Sequence, residues 1–154
     1  MQSPDSHSEK SGAFAKKLKH LRLKIMPIYP LPGGPPHSAF PQTLLEFHLL
    51  SEGQLDDLAA YYSQSTLNEW TEHYPSMMGW DAEFFADPAL SNEARAKIKL
   101  RKFGKFIGLR GCETPIQETE LRIKLAEARI QRSIELAKQE QQAYEKGTLR
   151  WFGV

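Results

Sequence analysis

The chain has 154 residues, a single cysteine, 25% charged and 40% hydrophobic side chains, and a formal net charge of +1. That is length for one ordinary domain with a modest core, too apolar for wholly disordered chain, and too poor in cysteine for a disulfide-stapled secreted scaffold. No window approaches the roughly 18 apolar residues of a membrane span, and Asp5 and Glu9 argue against an import presequence.

An intracellular, reducing compartment is therefore expected, with nucleus and cytoplasm left open. The near-neutral total conceals three blocks. Residues 1–24 carry six Lys or Arg against two acids, residues 25–94 carry ten acids and no Lys or Arg, and residues 95–154 carry fourteen Lys or Arg against seven acids. An acidic middle flanked by basic segments repels itself when isolated and is stabilised when the basic parts pack beside it.

Residues 1–26 read as a basic amphipathic arm, partly disordered at its polar start. Phe14, Leu18, Leu21 and Ile25 recur at helical spacing, with Lys16, Lys19, Arg22 and Lys24 on the flanks and back. Docking on the acidic middle or on a partner chain is the first expectation for it, a nucleic-acid or import role the second, and a membrane surface the least. Residues 27–41 hold six of the ten prolines, which predicts an extended, proline-rich connector.

The helical domain is expected from residue 42 to 154. Leu44–Leu50 is an almost wholly apolar run, read as a buried helix or a strand. Ser51 and Gln54 form a capping-box signature before Leu55, Leu58, Ala59 and Tyr62, which share one helical face. Thr66 and Glu69 repeat that signature and predict a further helix through Leu67, Trp70 and Tyr74, ended by Pro75. The stretch YPSMMGWDAEFFADP is expected to fill space between helices with its aromatic side chains. Asp87-Pro88 is a helix start, with a restart near Ser91 or Asn92 as the alternative, and the helix runs to about Leu109 across Gly104 and Gly108.

Within it, residues 95–111 carry seven basic side chains and no acid. On a helical wheel Ala96, Leu100, Phe103, Phe106 and Ile107 gather on one side, and Lys97, Arg101 and Lys105 form a row on the other. That row suits an acidic protein surface or a run of phosphates. The last helix is expected from about 115 to 146, started by Thr114-Pro115 and stopped by Gly147. Ile116, Ile123, Ile130, Ala137 and Tyr144 recur every seven residues along it, Ile134 adds a local contact, and the other coiled-coil positions are polar or small. Trp151 and Phe152 close the chain with apolar side chains suited to a core or a partner.

Catalytic chemistry finds little support. The five histidines lack metal-ligand spacing. His48 reads as an interior or boundary residue, and Glu69 with His73 as an ordinary helical pair. Asp56 and Asp57 diverge around a helix rather than sharing a proton. Cys112 precedes a helix start beside Arg110, a setting that lowers a thiol pKa, but no base accompanies it.

The expected protein is thus mostly α: a small irregular helical domain with a long C-terminal helix, a basic N-terminal arm and a proline-rich connector. Its expected function is that of a non-catalytic adaptor or structural subunit, using Ile130, Ile134, Tyr144, Trp151 and Phe152 for protein contact or self-association. Lys97, Arg101 and Lys105 would meet an acidic or polyanionic surface. The alternative is a nucleic-acid-binding accessory protein using the 95–105 helix and the 16–24 arm. Neither a cofactor, a metal nor a small-molecule substrate is indicated.

Overall fold

A computed structural model describes the backbone of residues 6–151 and the side chains of residues 9–147. It is a small, mostly helical protein with a long C-terminal helix: α1 (Ser6–Leu21), α2 (Leu44–His48), α3 (Glu52–Tyr61), α4 (Ala82–Phe85), α5 (Asn92–Phe106) and α6 (Ile116–Trp151). A short 3-10 turn covers Thr71–His73, and an isolated antiparallel bridge joins Lys24 to Thr43. The chain forms two compact units. One comprises the chain up to Ala86 together with Leu90–Glu113, and the other comprises Asp87–Ala89 and the chain from Thr114 onward.

The first unit is organised around α3 and α5. Ser51 and Gln54 make the reciprocal capping box that their spacing predicts, with hydrogen bonds of 3.2 and 2.9 Å. The α3 face of Leu55, Leu58, Ala59 and Tyr62 is fully buried. Phe103 and Phe106 of α5 meet it, together with Phe40, Phe47, Tyr74 and Met78, in a core rich in aromatic rings. Phe47 stacks on Phe103 at 6.2 Å, and Tyr62 tilts against Phe106 at 5.7 Å, separations at which ring pairs are attractive beyond their buried area.

Residues 27–41 contain no helix or strand, and tyrosine hydroxyls tie them down. Tyr62 donates to the Ile28 carbonyl at 2.7 Å and accepts from the His37 N–H at 3.3 Å; Tyr61 donates to the Pro35 carbonyl at 2.7 Å. Tyr74 accepts from the Leu31 N–H at 2.8 Å. A segment rich in proline has few N–H groups for a sheet ladder, so its carbonyls need donors from elsewhere, and tyrosines supply them from otherwise apolar positions. Burial pushes the Tyr62 hydroxyl above its ordinary pKa, so it stays a donor.

The helix predicted over 67–74 does not form. Asn68 folds the chain back instead: its side-chain oxygen accepts from the Trp70 N–H at 2.8 Å, its amide nitrogen donates to Ser63 Oγ at 2.9 Å, and its N–H donates to Thr71 Oγ1 at 2.9 Å. Such local side-chain bonds compete with the helical ladder. Gln64, buried just after α3, donates to the Tyr62 and Thr71 carbonyls and accepts from the Met78 N–H, locking the loop to the core. Ser63 adopts φ +56 to end α3.

Asp87-Pro88 does not start a helix either. Asp81 caps α4 and Ser91 caps α5, while Asp87 accepts from the Ala89 N–H at 2.9 Å. Gly108 terminates α5 rather than being crossed by it: at φ +82 it donates to the Lys105 carbonyl at 3.1 Å, and Leu109 donates to that of Gly104 at 2.9 Å. This is the Schellman pairing, which the left-handed residue makes accessible. Gly147 behaves in the opposite way. It is not among the left-handed glycines, and α6 continues through it for 36 residues in all, because glycine stops a helix only where the backbone turns left-handed.

Gly104 has a steric reason. A Cβ placed there would lie 2.5 Å from Cys112 Sγ and 2.9 Å from Phe47 Cζ, so α2 and the loop after α5 approach the helix backbone directly. Gly104→Ala is expected to lower stability by about 1–3 kcal/mol through overpacking, measured as the shift of the urea midpoint.

Candidate interaction surfaces

Glu52 and Asp56 stand one turn apart on α3, and Arg95 and Lys99 stand one turn apart on α5. The two pairs meet. Arg95 Nε reaches Glu52 Oε1 at 2.5 Å, and Lys99 Nζ lies 2.9 Å from Glu52 Oε1 and 2.6 Å from Asp56 Oδ1. The Lys99 side chain is only 7% exposed. Its ammonium also lies 5.4 Å from the Trp80 ring centre and 5.2 Å from that of Phe85, within reach of cation–π attraction. Removing an ammonium from water costs several kcal/mol, and two carboxylates plus two ring faces offset it.

The basic segment therefore does meet the acidic middle within one chain: Arg95 and Lys99 reach across to acids of α3, whereas Lys97 of the row singled out from the sequence meets an acid only one turn back on its own helix. Lys97 is exposed and bound to Glu93 on its own helix at 2.9 Å. Arg101 is half-buried, which pulls its guanidinium below its ordinary pKa, and Lys105 is exposed. Ile98, outside the group of five apolar residues on the wheel, is buried too, so α5 is covered over more of its circumference than that group alone. The matching one-turn spacing of two acids and two cations was the available signal, together with the position of Lys99 between Phe103 and Phe106 on the wheel.

On α6, Ile116, Ile123, Ile130 and Tyr144 are all exposed, with values of 74, 55, 58 and 73%. Ile134 and Leu136 are exposed as well, as is every described residue from 130 to 147. Thus the seven-residue recurrence is an open apolar stripe. Phe152 lies outside the described residues, as does the side chain of Trp151. Near the start of α6 the side chains of Glu118 and Leu125 are buried, and Arg129 Nε lies 3.6 Å from Asp87 Oδ2 within the same unit.

On α1, Phe14 is 64% and Leu18 39% exposed, and each described α1 side chain except Leu21 is exposed. Lys10, Lys16, Lys17, Lys19, Arg22 and Lys24 form no ion pair among the described residues. Docking of this helix through its cations on the acidic middle, the first expectation for it, is absent from the described contacts.

The groups considered for chemistry stay apart. His48 is exposed rather than interior, and its ring lies edge-on to Phe47 at 5.2 Å. Glu69 and His73 line a groove of about 220 Å3 with Glu72, but the helix that would have paired them is absent. Burial against the neighbourhood of Gly104 pushes the Cys112 thiol above its ordinary pKa, opposite to the lowering expected from its loop. Among the described residues no group of three or more His, Cys, Asp or Glu side chains could hold a metal ion, and no helix is long and apolar enough to cross a membrane.

No family model, curated protein or solved structure matches the chain.

The Glu52 carboxyl is held below the usual glutamate range, first by the hydrogen bond from Arg95 and next by that from Lys99, with burial opposing them. A depressed carboxylate stabilises the fold fully above its unfolded value of about 4.3. That contribution disappears as pH falls through the lower folded value, because the unfolded chain takes up the proton first. Glu52→Gln is expected to reduce stability at neutral pH and to flatten the acid limb of a denaturation-midpoint profile. Lys99→Met is expected to cost about 1–3 kcal/mol by leaving two carboxylates without their shared donor, whereas Lys97→Met leaves the urea midpoint unchanged.

Proposed function

We propose that this chain is a non-catalytic helical assembly subunit, an adaptor or structural component, whose α6 engages a helix of a protein partner. The observation that carries this is the open stripe of Ile116, Ile123, Ile130 and Tyr144, with Ile134 beside it. Recurrence every seven residues is what one helix offers another: it keeps one apolar seam facing the partner as both supercoil. A single scattered isoleucine would need no explanation, whereas several aligned on one helix do. Trp151 follows Tyr144 by a further seven residues and extends the same series.

A second copy of the chain is the first partner to test. The polar and small residues at the complementary positions, Thr119, Ala126, Ser133 and Glu140, favour an association weaker than that of an obligate coiled coil. The single free cysteine accords with a reducing, intracellular compartment. In this reading the basic N-terminal arm is a separate attachment surface, and the proline-rich segment holds its root to α3.

Nucleic-acid binding is the second reading, supported by exposed Lys105 and by the α1 cations that lack an ion pair among the described residues. Its mark would be affinity for duplex or single-stranded probes that falls steeply with salt and drops when Lys97, Arg101 and Lys105 are neutralised.

Sedimentation velocity over micromolar to millimolar chain tests the assembly reading. Concentration-dependent dimerisation is expected, weakened at least about tenfold, or 1.4 kcal/mol, by Ile130→Glu with Ile134→Glu while circular dichroism stays unchanged. A chain that remains monomeric throughout removes the second copy as the partner.

A further inference from the structure

We propose that α1 and the residues directly after it are a docking site for an anionic lipid surface, on which the helix lies flat. After Glu9 the next acid is Glu46, and all six Lys and Arg residues in between fall within 10–24. At about 100° per residue, Phe14, Leu18 and Leu21 fall within about 60° of one another on α1. Lys10 and Lys17 border that face on one side and Arg22 on the other. Past the helix end, Leu23 is 52% and Met26 84% exposed, so the apolar surface does not stop with the last turn.

Charge and apolarity together select the occupant. No cation of residues 10–24 forms an ion pair among the described residues, and two acids of the middle block, Glu52 and Asp56, are held by Arg95 and Lys99. That leaves a cationic surface whose centre is Phe14 and Leu18 in water. Nucleic-acid phosphates would satisfy the cations while leaving those two side chains exposed. An anionic bilayer satisfies both: lysine and arginine heads sit among the headgroups, their methylene stems lie along the boundary, and the aromatic and aliphatic side chains enter it. A helix of 16 residues is about 24 Å long, short of a span, which leaves the in-plane arrangement. A membrane surface is the least of the expectations for this segment, after docking on the acidic middle or a partner chain and after a nucleic-acid or import role. The proposal stands on a different surface from the α6 stripe.

Flotation of the full chain with vesicles of phosphatidylcholine alone, or mixed with phosphatidylserine, tests it at low and high salt. Binding to the phosphatidylserine vesicles is expected, reduced at least tenfold by Phe14→Gln with Leu18→Gln and reduced by salt. Both substitutions lie at exposed positions, so unchanged circular dichroism is the folding control. A Phe14→Trp chain should add fluorescence that shifts to the blue on these vesicles and not on phosphatidylcholine. No binding to phosphatidylserine vesicles overturns the proposal, as does full binding by the double glutamine variant. Tighter, salt-sensitive binding to duplex DNA or RNA that ignores Phe14 and Leu18 also overturns it, in favour of nucleic acid.

Discussion

The shared grip of Glu52 and Asp56 on Lys99 is the contact around which the first unit is arranged. It joins the two helices whose buried faces meet in the core, and it does so with a cation that is almost wholly buried. A buried charge tolerates little displacement, because its desolvation is offset only while both carboxylates and both rings stay close. The register of α3 against α5 is therefore constrained by charge as well as by the packing of Leu55, Leu58, Phe103 and Phe106. The charge segregation along the chain has its structural use here.

The rest of that unit follows from packing aromatic side chains around these two helices. Phe40 and Phe47 enter from segments with little regular structure, and close approach at Gly104 lets Phe47 stack on Phe103. Tyr61, Tyr62 and Tyr74 serve a double purpose: their rings fill or border the core, and their hydroxyls bind the backbone of the proline-rich segment. A non-helical segment is thus held without a sheet. Gln64 and Thr71 do the same for the loop after α3, each through satisfied buried hydrogen bonds.

What this arrangement leaves uncovered is as informative as what it covers. Two helices carry aligned apolar side chains in water, and their surroundings differ. The α6 stripe lies among charges of both signs, which suits another helix, whereas the α1 face is bordered by cations alone. Elsewhere, Cys112 is packed with its thiol pKa raised, and His48 and His73 are exposed.

Local rules in the amino-acid order were enough to determine the capping box at Ser51–Gln54, the buried face of α3 and the existence of the long terminal helix, because each depends on neighbours within one or two turns; for α5 they left Ser91 only as the alternative to Asp87. The same rules misplaced a helix at 67–74, a start at Asp87 and a stop at Gly147. Asn68, Asp87 and Gly147 can each serve more than one backbone geometry, and distant packing chooses among them. Charge blocks along the chain showed that opposite signs had reason to meet. Only the tertiary structure decided that Arg95 and Lys99 would reach across to α3 while Lys97 stayed exposed beside Glu93 of its own helix, since long-range pairing depends on which side of α5 the aromatic core takes, and that is settled by residues about forty positions away.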